Sequence, residues 1–490
     1  MSMEVAFTME MNGVEKIFCA HGGWVTIAHV AHLTGDPSIL TQNVPQVLQY
    51  LLKRHPRMRS RIRVDGNRYL LETFEYDHKQ LPIDSFFSIV KITNESWQRI
   101  VENRCNQNPY SNMDTIIFPL FHFMFLFDLQ HCELSKNNIF HLILYTNHCV
   151  SDGRSGYVLI NDFLTLATSS NLHEHFEPIN TDILPFIGQL ISRPYGLLYP
   201  VISFIGKHHL KQSLRNSRQP RIPVKSIPLT DCEQTTFHVQ RHKIRFLFSS
   251  SSSNLYLNLH KQCRLHEVTL QGPLLSCLLL AIHNYFPLDD KDQLDPFEIE
   301  MDFDMRSRLP QSSLTPMSVG FFVGATDVSL DRSLSIRSTR FWSLAHQCMM
   351  ITRKQQNRNG VPLSMNIFCD MMRDEHLFNQ ITRLFPNGRM SEFDFSNIGK
   401  YPFSCDYNQG QIQLHGMHVI NNGSIYHSSS TLYITCVGNN QLDFSLAHEM
   451  ESEEKAKEFF DFYIHLIETC ANRQCCQTET TLDQLLAMVG

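Results

Sequence analysis

The chain has 490 residues, too many for one hydrophobic core, so two domains or two large subdomains are expected. Hydrophobic residues make up 42% and charged residues 18%, a soluble globular balance, and with a net charge of -6 nothing at whole-chain level argues for nucleic acid. The 14 cysteines are scattered, with no CxxC pair and no metal-type spacing, and none of the 25 histidines is spaced for zinc. They read as free thiols in a reducing compartment. The opening MSMEVAFTMEMNGVEK contains Glu4 and Glu10 and lacks the apolar core of a signal peptide, so a cytoplasmic protein is expected.

In chain order, the first clear pattern is VPQVLQYLLKR at 44–54, where Val47, Leu48, Leu51 and Leu52 share a helical face and Pro45 suits the first turn. The polarity of HPRMRSRIRV at 55–64 then alternates, so a strand follows. LFHFMFLFD (120–128) and IFHLILYTNH (139–148) predict a long hairpin with Phe121, Phe123, Phe125 and Phe127 on one face of the first strand. A helix follows Asp152, with Tyr157, Ile160, Leu164 and Ala167 at helical spacing. PYGLLYPVISFIG (194–206) is apolar but short and broken by Pro200; it predicts core packing, with a lipid-facing surface as the alternative. Lys207, Lys211, Arg215, Arg218, Arg221 and Lys225 then recur with no acid before Asp231, which predicts a solvated basic linker, or else a phosphate contact.

The second half restarts with a strand at 243–249 and a helix pair, NLYLNLHKQCRL and GPLLSCLLLAIHNYF. Val268 to Leu288 has no formal charge, yet its apolar part is too short for a bilayer span and predicts a buried helix. In FEIEMDFDMRSRL (297–309), strand geometry would put Asp302, Asp304, Arg306 and Arg308 on one face, a solvated charge ladder on the residues alone. Helices around 336–383, a hairpin over 431–448 turning at Gly438-Asn439-Asn440, and a helix at 452–470 complete the chain. The picture is two α+β halves, each a mixed sheet with helices, divided as 1–206, a 207–235 linker and 236–490.

NHCVSDGRS (147–155) lies directly after the second hairpin strand. Alternation sends His148 and Cys149 to opposite sides, which argues against a Cys–His nucleophilic pair. His148 extends the face of Leu142, Leu144 and Thr146, so packing fixes its orientation at the strand end. Asp152 favours a helix N-terminus, and Gly153 permits a tight backbone. On spacing alone, a structural histidine in a turn is the favoured reading of the stretch.

This stretch resembles the HxxxDG motif of the CoA-dependent acyltransferase superfamily, which includes chloramphenicol acetyltransferase and peptide condensation domains. The likeness is greatest to alcohol acetyltransferases and polyketide-associated acyltransferases. LLKRHPRMRSRI (51–62), CRLHEVTLQGPLLSCLLLAI (263–282), DFDMRSRL (302–309) with VGFFVG (319–324), and FSNIGKYP (395–402) resemble further family elements, in the family's order, over roughly 13 to 450. Asn147 stands where condensation domains often have a first histidine, which lowers the case for peptide condensation.

The resemblance implies two chloramphenicol-acetyltransferase-like subdomains with the active-site channel between them. It implies His148 as general base for attack of a hydroxyl on a thioester, most simply acyl-CoA, without a covalent enzyme intermediate or a permanently bound cofactor. It implies Asp152 as a structural residue paired to arginine, with Arg306 the first candidate and Arg308 the second. Ser396 and Asn397 become candidate oxyanion donors, with Gly399 allowing close backbone approach. The alternatives are an inactive acyl-CoA-binding protein of this fold and a condensation enzyme that makes amides from carrier-protein thioesters. A serine hydrolase lacks support, because GRSGY is not GxSxG.

Overall fold

The two phenylalanine- and leucine-rich runs pair as an antiparallel hairpin, Phe121–Asp128 with Phe140–Asn147, in which Phe121 faces Thr146 and Phe125 faces Leu142. Side-chain alternation sends Phe121, Phe123 and Phe125, with Leu142 and Leu144, into one core. Helix Gly153–Ala167 supplies Tyr157, Ile160 and Leu164 to that core, and helix Val44–Arg54 buries Val47, Leu48, Leu51 and Leu52 there. Each such leucine contributes about 1.5–3 kcal/mol by leaving water. The opposite sheet face, with Met124, Leu126, Ile143 and Tyr145, packs against Val101, Ile420 and Tyr433. The computed structural model describes residues 4–490 except 12, 20–23, 67, 77–81, 93, 111–114, 129–138, 170–182, 192–195, 216–220, 225–242, 288–290, 310–313, 331–332, 358–359, 374–390, 424–427 and 439–440. The tip of the first hairpin and part of the basic run therefore lie outside the described residues.

Two six-stranded mixed sheets organise the α+β fold. The first runs Asp406–Tyr407, Ile412–Asn421, Thr26–Gly35, Phe140–Asn147, Phe121–Asp128 and Phe87–Ile92. The second runs Val323–Ser329, Glu298–Asp304, Phe393–Lys400, Ser430–Val437, Gln441–His448 and Arg245–Ser250. A separate four-stranded sheet contains Val5–Glu10 and Ser60–Asp65. Helix Gln271–Tyr285 is buried along nearly its whole length, as its lack of charge predicts.

Boundaries at 206 and 236 do not separate these sheets. Ile412–Asn421 crosses back to pair with Thr26–Gly35, and helix Tyr199–Arg215 runs through residue 206. An alternating strand carries no mark of which sheet it will join, so the crossover has no local signature. The 194–206 segment also departs from the core packing predicted for it. Leu197, Leu198, Val201, Phe204 and Ile205 are exposed, because this segment buries only the side bearing Tyr199 and Ser203. The predicted ladder of four charges ends early as well. Strand Glu298–Asp304 stops before Arg306, and the following turn buries Arg306 while leaving Arg308 exposed.

Candidate active site

His148 follows directly on the Phe140–Asn147 strand, and its backbone N–H donates to the Val25 carbonyl at 2.7 Å. The chain then turns, and Asp152 caps helix Gly153–Ala167 by accepting from Ser155 N at 2.7 Å. A strand that ends in a capped helix fixes the imidazole from both sides. Its Nδ1 lies 2.7 Å from the Ser151 carbonyl oxygen. A carbonyl only accepts, so Nδ1 bears the proton and Nε2 keeps the lone pair. Phe18 stacks on the ring at 4.8 Å and Phe321 meets it edge-on at 5.4 Å. Burial lowers the His148 pKa from its ordinary 6.5, although the Ser151 carbonyl and Asp152 oppose this.

Asp152 points away from the imidazole and into a buried network. Its Oδ1 accepts from Arg306 Nη2 at 2.9 Å and its Oδ2 from the Phe322 backbone N–H at 2.9 Å. Arg306 also donates to Ser155 Oγ at 2.9 Å and to the Ser318 carbonyl, and its Nη1 reaches Asp304 at 3.0 Å. Burial alone would raise the Asp152 pKa; the Arg306 charge and the hydrogen bonds from Arg306, Ser155 and Phe322 outweigh it and hold the carboxyl below its ordinary value. Arg308 takes no part in this network; it donates to the Asp304 carbonyl at 3.1 Å.

Gly153 is required by close approach: a Cβ there would lie 2.9 Å from Ile398 Cδ1. The Gly153 carbonyl is held by His29 Nε2 at 3.0 Å. His29 is fully buried, and burial lowers its pKa to about 4, so it stays neutral and donates. The sequence did not single it out, since neither of the two histidines in TIAHVAHLTG, His29 and His32, has a distinguishing spacing. Asn147 turns inward, and its Oδ1 accepts from Cys149 N at 3.1 Å to close the turn. Cys149 is buried in an apolar cluster with Cys19 and Trp24.

A cavity of about 400 Å³ opens beside His148, lined by Phe18, Arg306, Phe321, Ser396 and Asn397 among others. Ser396 and Asn397 come from strand Phe393–Lys400, which breaks register between Asn397 and Gly399. Gly399 has a φ of +83°, a conformation that favours glycine, and its carbonyl accepts from Tyr157 at 3.1 Å. Asn397 Nδ2 donates to Gln271 Oε1 at 2.9 Å.

The far wall of the cavity is acidic. Glu300 pairs across the sheet with both Asp327 and Asp394, and Asp302 follows on the same strand. Burial, then the neighbouring Asp302, push the Glu300 carboxyl up to about 7. Asp302, which the sequence placed on a solvated ladder, thus faces the cavity.

No curated protein sequence matches the chain. Among solved structures, the trichothecene 15-O-acetyltransferase of Fusarium sporotrichioides superposes with a TM-score of 0.72 at 11% identity, covering 95% of this chain and 94% of that one. Polyketide synthase associated protein 5 of Mycobacterium tuberculosis gives 0.61 at 14% identity, covering 96% and 100%. The condensation domain of the Monacolin K polyketide synthase gives 0.59 at 12%, covering 98% and 100%. These likenesses establish the two-subdomain fold of chloramphenicol-acetyltransferase type. The model of the alcohol acetyltransferase family matches residues 116–464, most of the chain, and the protein is therefore a member of that acyltransferase family.

Proposed function

We propose that the protein moves an acyl group from a thioester, acyl-CoA, to an acceptor hydroxyl, with His148 as general base. The observation that supports this best is the imidazole itself: Nδ1 is committed to the Ser151 carbonyl, which leaves Nε2 as the basic nitrogen of a ring lining the cavity. Its lowered pKa keeps it neutral at physiological pH. Nε2 takes the hydroxyl proton as the oxygen attacks the thioester carbon. The C–S bond then breaks, and the departing thiolate receives that proton from the imidazolium. Transfer is direct, and no acyl-enzyme forms.

A positioned base of this kind is worth about 10²–10⁴ in rate. Holding donor and acceptor together supplies much of the remainder, since effective molarities reach roughly 10⁵–10⁸ M. Asp152, Arg306 and Gly153 are positioning residues that keep the turn after His148 in shape. Asn397 has a second amide hydrogen beyond the one given to Gln271 and is the proposed donor to the tetrahedral oxyanion, with Ser396, whose single hydroxyl hydrogen goes to Asp302, lining the cavity beside it.

The test is free-thiol release from acyl-CoAs of graded length, with alcohols and amines supplied separately. Release that depends on an alcohol supports the reading. Release that depends only on amines, or only on a carrier-protein donor, would replace it with amide formation.

A further inference from the structure

Residues 197–205 gather exposed apolar surface as no other described segment does. Leu197, Leu198, Val201, Phe204 and Ile205 are 100, 64, 60, 75 and 49% exposed. Other large apolar side chains that stand exposed, such as Phe7, Ile89 and Met488, are single positions of the kind any soluble surface has. A contiguous patch marks an interaction surface instead.

The patch is held outward by what lies behind it. Tyr199 donates its hydroxyl to Asp370 Oδ2 at 2.8 Å, and Ser203 reaches the same oxygen at 3.3 Å. A Cβ on Gly206 would lie 2.4 Å from Ile367 Cδ1, so the two helices are in close contact there. With Tyr199, Ser203 and Gly206 against helix Gly360–Arg373, helical spacing directs Val201, Phe204 and Ile205 to the other side.

Charge identifies what covers the patch. No aspartate or glutamate occurs between Asp182 and Asp231, while Arg193, Lys207, Lys211, Arg215, Arg218 and Lys225 fall within that span of a chain whose net charge is -6. Apolar residues followed on the same helix by basic ones match a membrane interface, with acyl chains beneath and anionic headgroups above. A second copy of the chain meeting this face symmetrically would bring the basic run against itself.

We propose that the Leu197–Ile205 face docks on the surface of a bilayer containing acidic phospholipids, with Lys207, next on the same helix, at the headgroups. The helix lies on the membrane; among the described residues no helix is long and apolar enough to cross one. Helix Gly360–Arg373, which holds this segment, contributes Ser364, Met365 and Phe368 to the wall of the His148 cavity. Docking therefore sets the cavity one helix away from the lipid. The proposal is independent of the role given to His148.

The experiment is co-sedimentation of the full chain with phosphatidylcholine vesicles, with and without phosphatidylserine. The wild type is compared with Val201→Ser/Phe204→Ser/Ile205→Ser, whose altered side chains are exposed and whose folding is checked by size-exclusion elution. The wild type should sediment with the phosphatidylserine vesicles, bind less in high salt, and lose roughly tenfold or more of its partitioning in the triple variant. Wild type that stays in the supernatant with both vesicles would overturn the proposal. So would equal binding by a folded triple variant, or a vesicle-indifferent wild-type dimer that the substitutions dissociate, which would make the face a contact between copies.

Discussion

Arg306 reaches Asp152 across 154 positions of sequence, with Nη2 2.9 Å from Oδ1. Both side chains are buried, and Ser155, Ser318 and Phe322 complete their hydrogen bonds. The pair ties the strand turn that carries His148 to the second sheet.

Removing one partner of such a pair leaves a buried charge. Arg306→Ala should lower the unfolding free energy by about 3–5 kcal/mol, read by denaturant titration. Arg306→Lys should recover little, because a single ammonium cannot serve Asp152, Ser155, Asp304 and the Ser318 carbonyl together. Full recovery by lysine would show that charge alone matters here.

Gly153→Ala forces a methyl against Ile398. Activity should fall while secondary structure by circular dichroism is unchanged, and Ile398→Ala in the same chain should restore part of it. A double-mutant cycle measures this coupling. Strict additivity would show that Ile398 does not constrain the glycine.

The acidic wall predicts a pH dependence of stability. Glu300 is raised to about 7 in the folded chain by burial and by Asp302. A raised carboxyl contributes stability that is whole below its unfolded value, about 4.3, and is lost as pH rises through the folded value. Glu300→Gln cannot ionise, so its Tm should gain on the wild type from pH 5 to pH 8 and level off above. A Tm difference that stays constant over this range would contradict the titration.

Much of the site was legible because its parts are local. The strand ending at Asn147, the cap at Asp152 and the helix to Ala167 follow from alternation, a capping side chain and helical spacing over neighbouring residues. Only the family resemblance points to Arg306; its own surroundings predict an exposed ladder, since nothing in MDFDMRSRL marks where the strand stops. His29 and the acidic wall were not legible as parts of the site. Both depend on strands distant in sequence that pair side by side, as Glu300 does with Asp327 and Asp394. Exposure of the 197–205 patch is hidden in the sequence for a related reason: apolar composition predicts burial, and only the packing of its polar side on Asp370 reveals the opposite.

Nε2 of His148 carries the proposed chemistry most directly. The measurement is thiol release from acyl-CoA, at saturating acceptor, by wild type and by His148→Ala of matched Tm. With His148 as the base, kcat falls by about 10²–10⁴ while KM for the donor changes little. An unchanged kcat in the folded variant would contradict it and move the base elsewhere in the cavity.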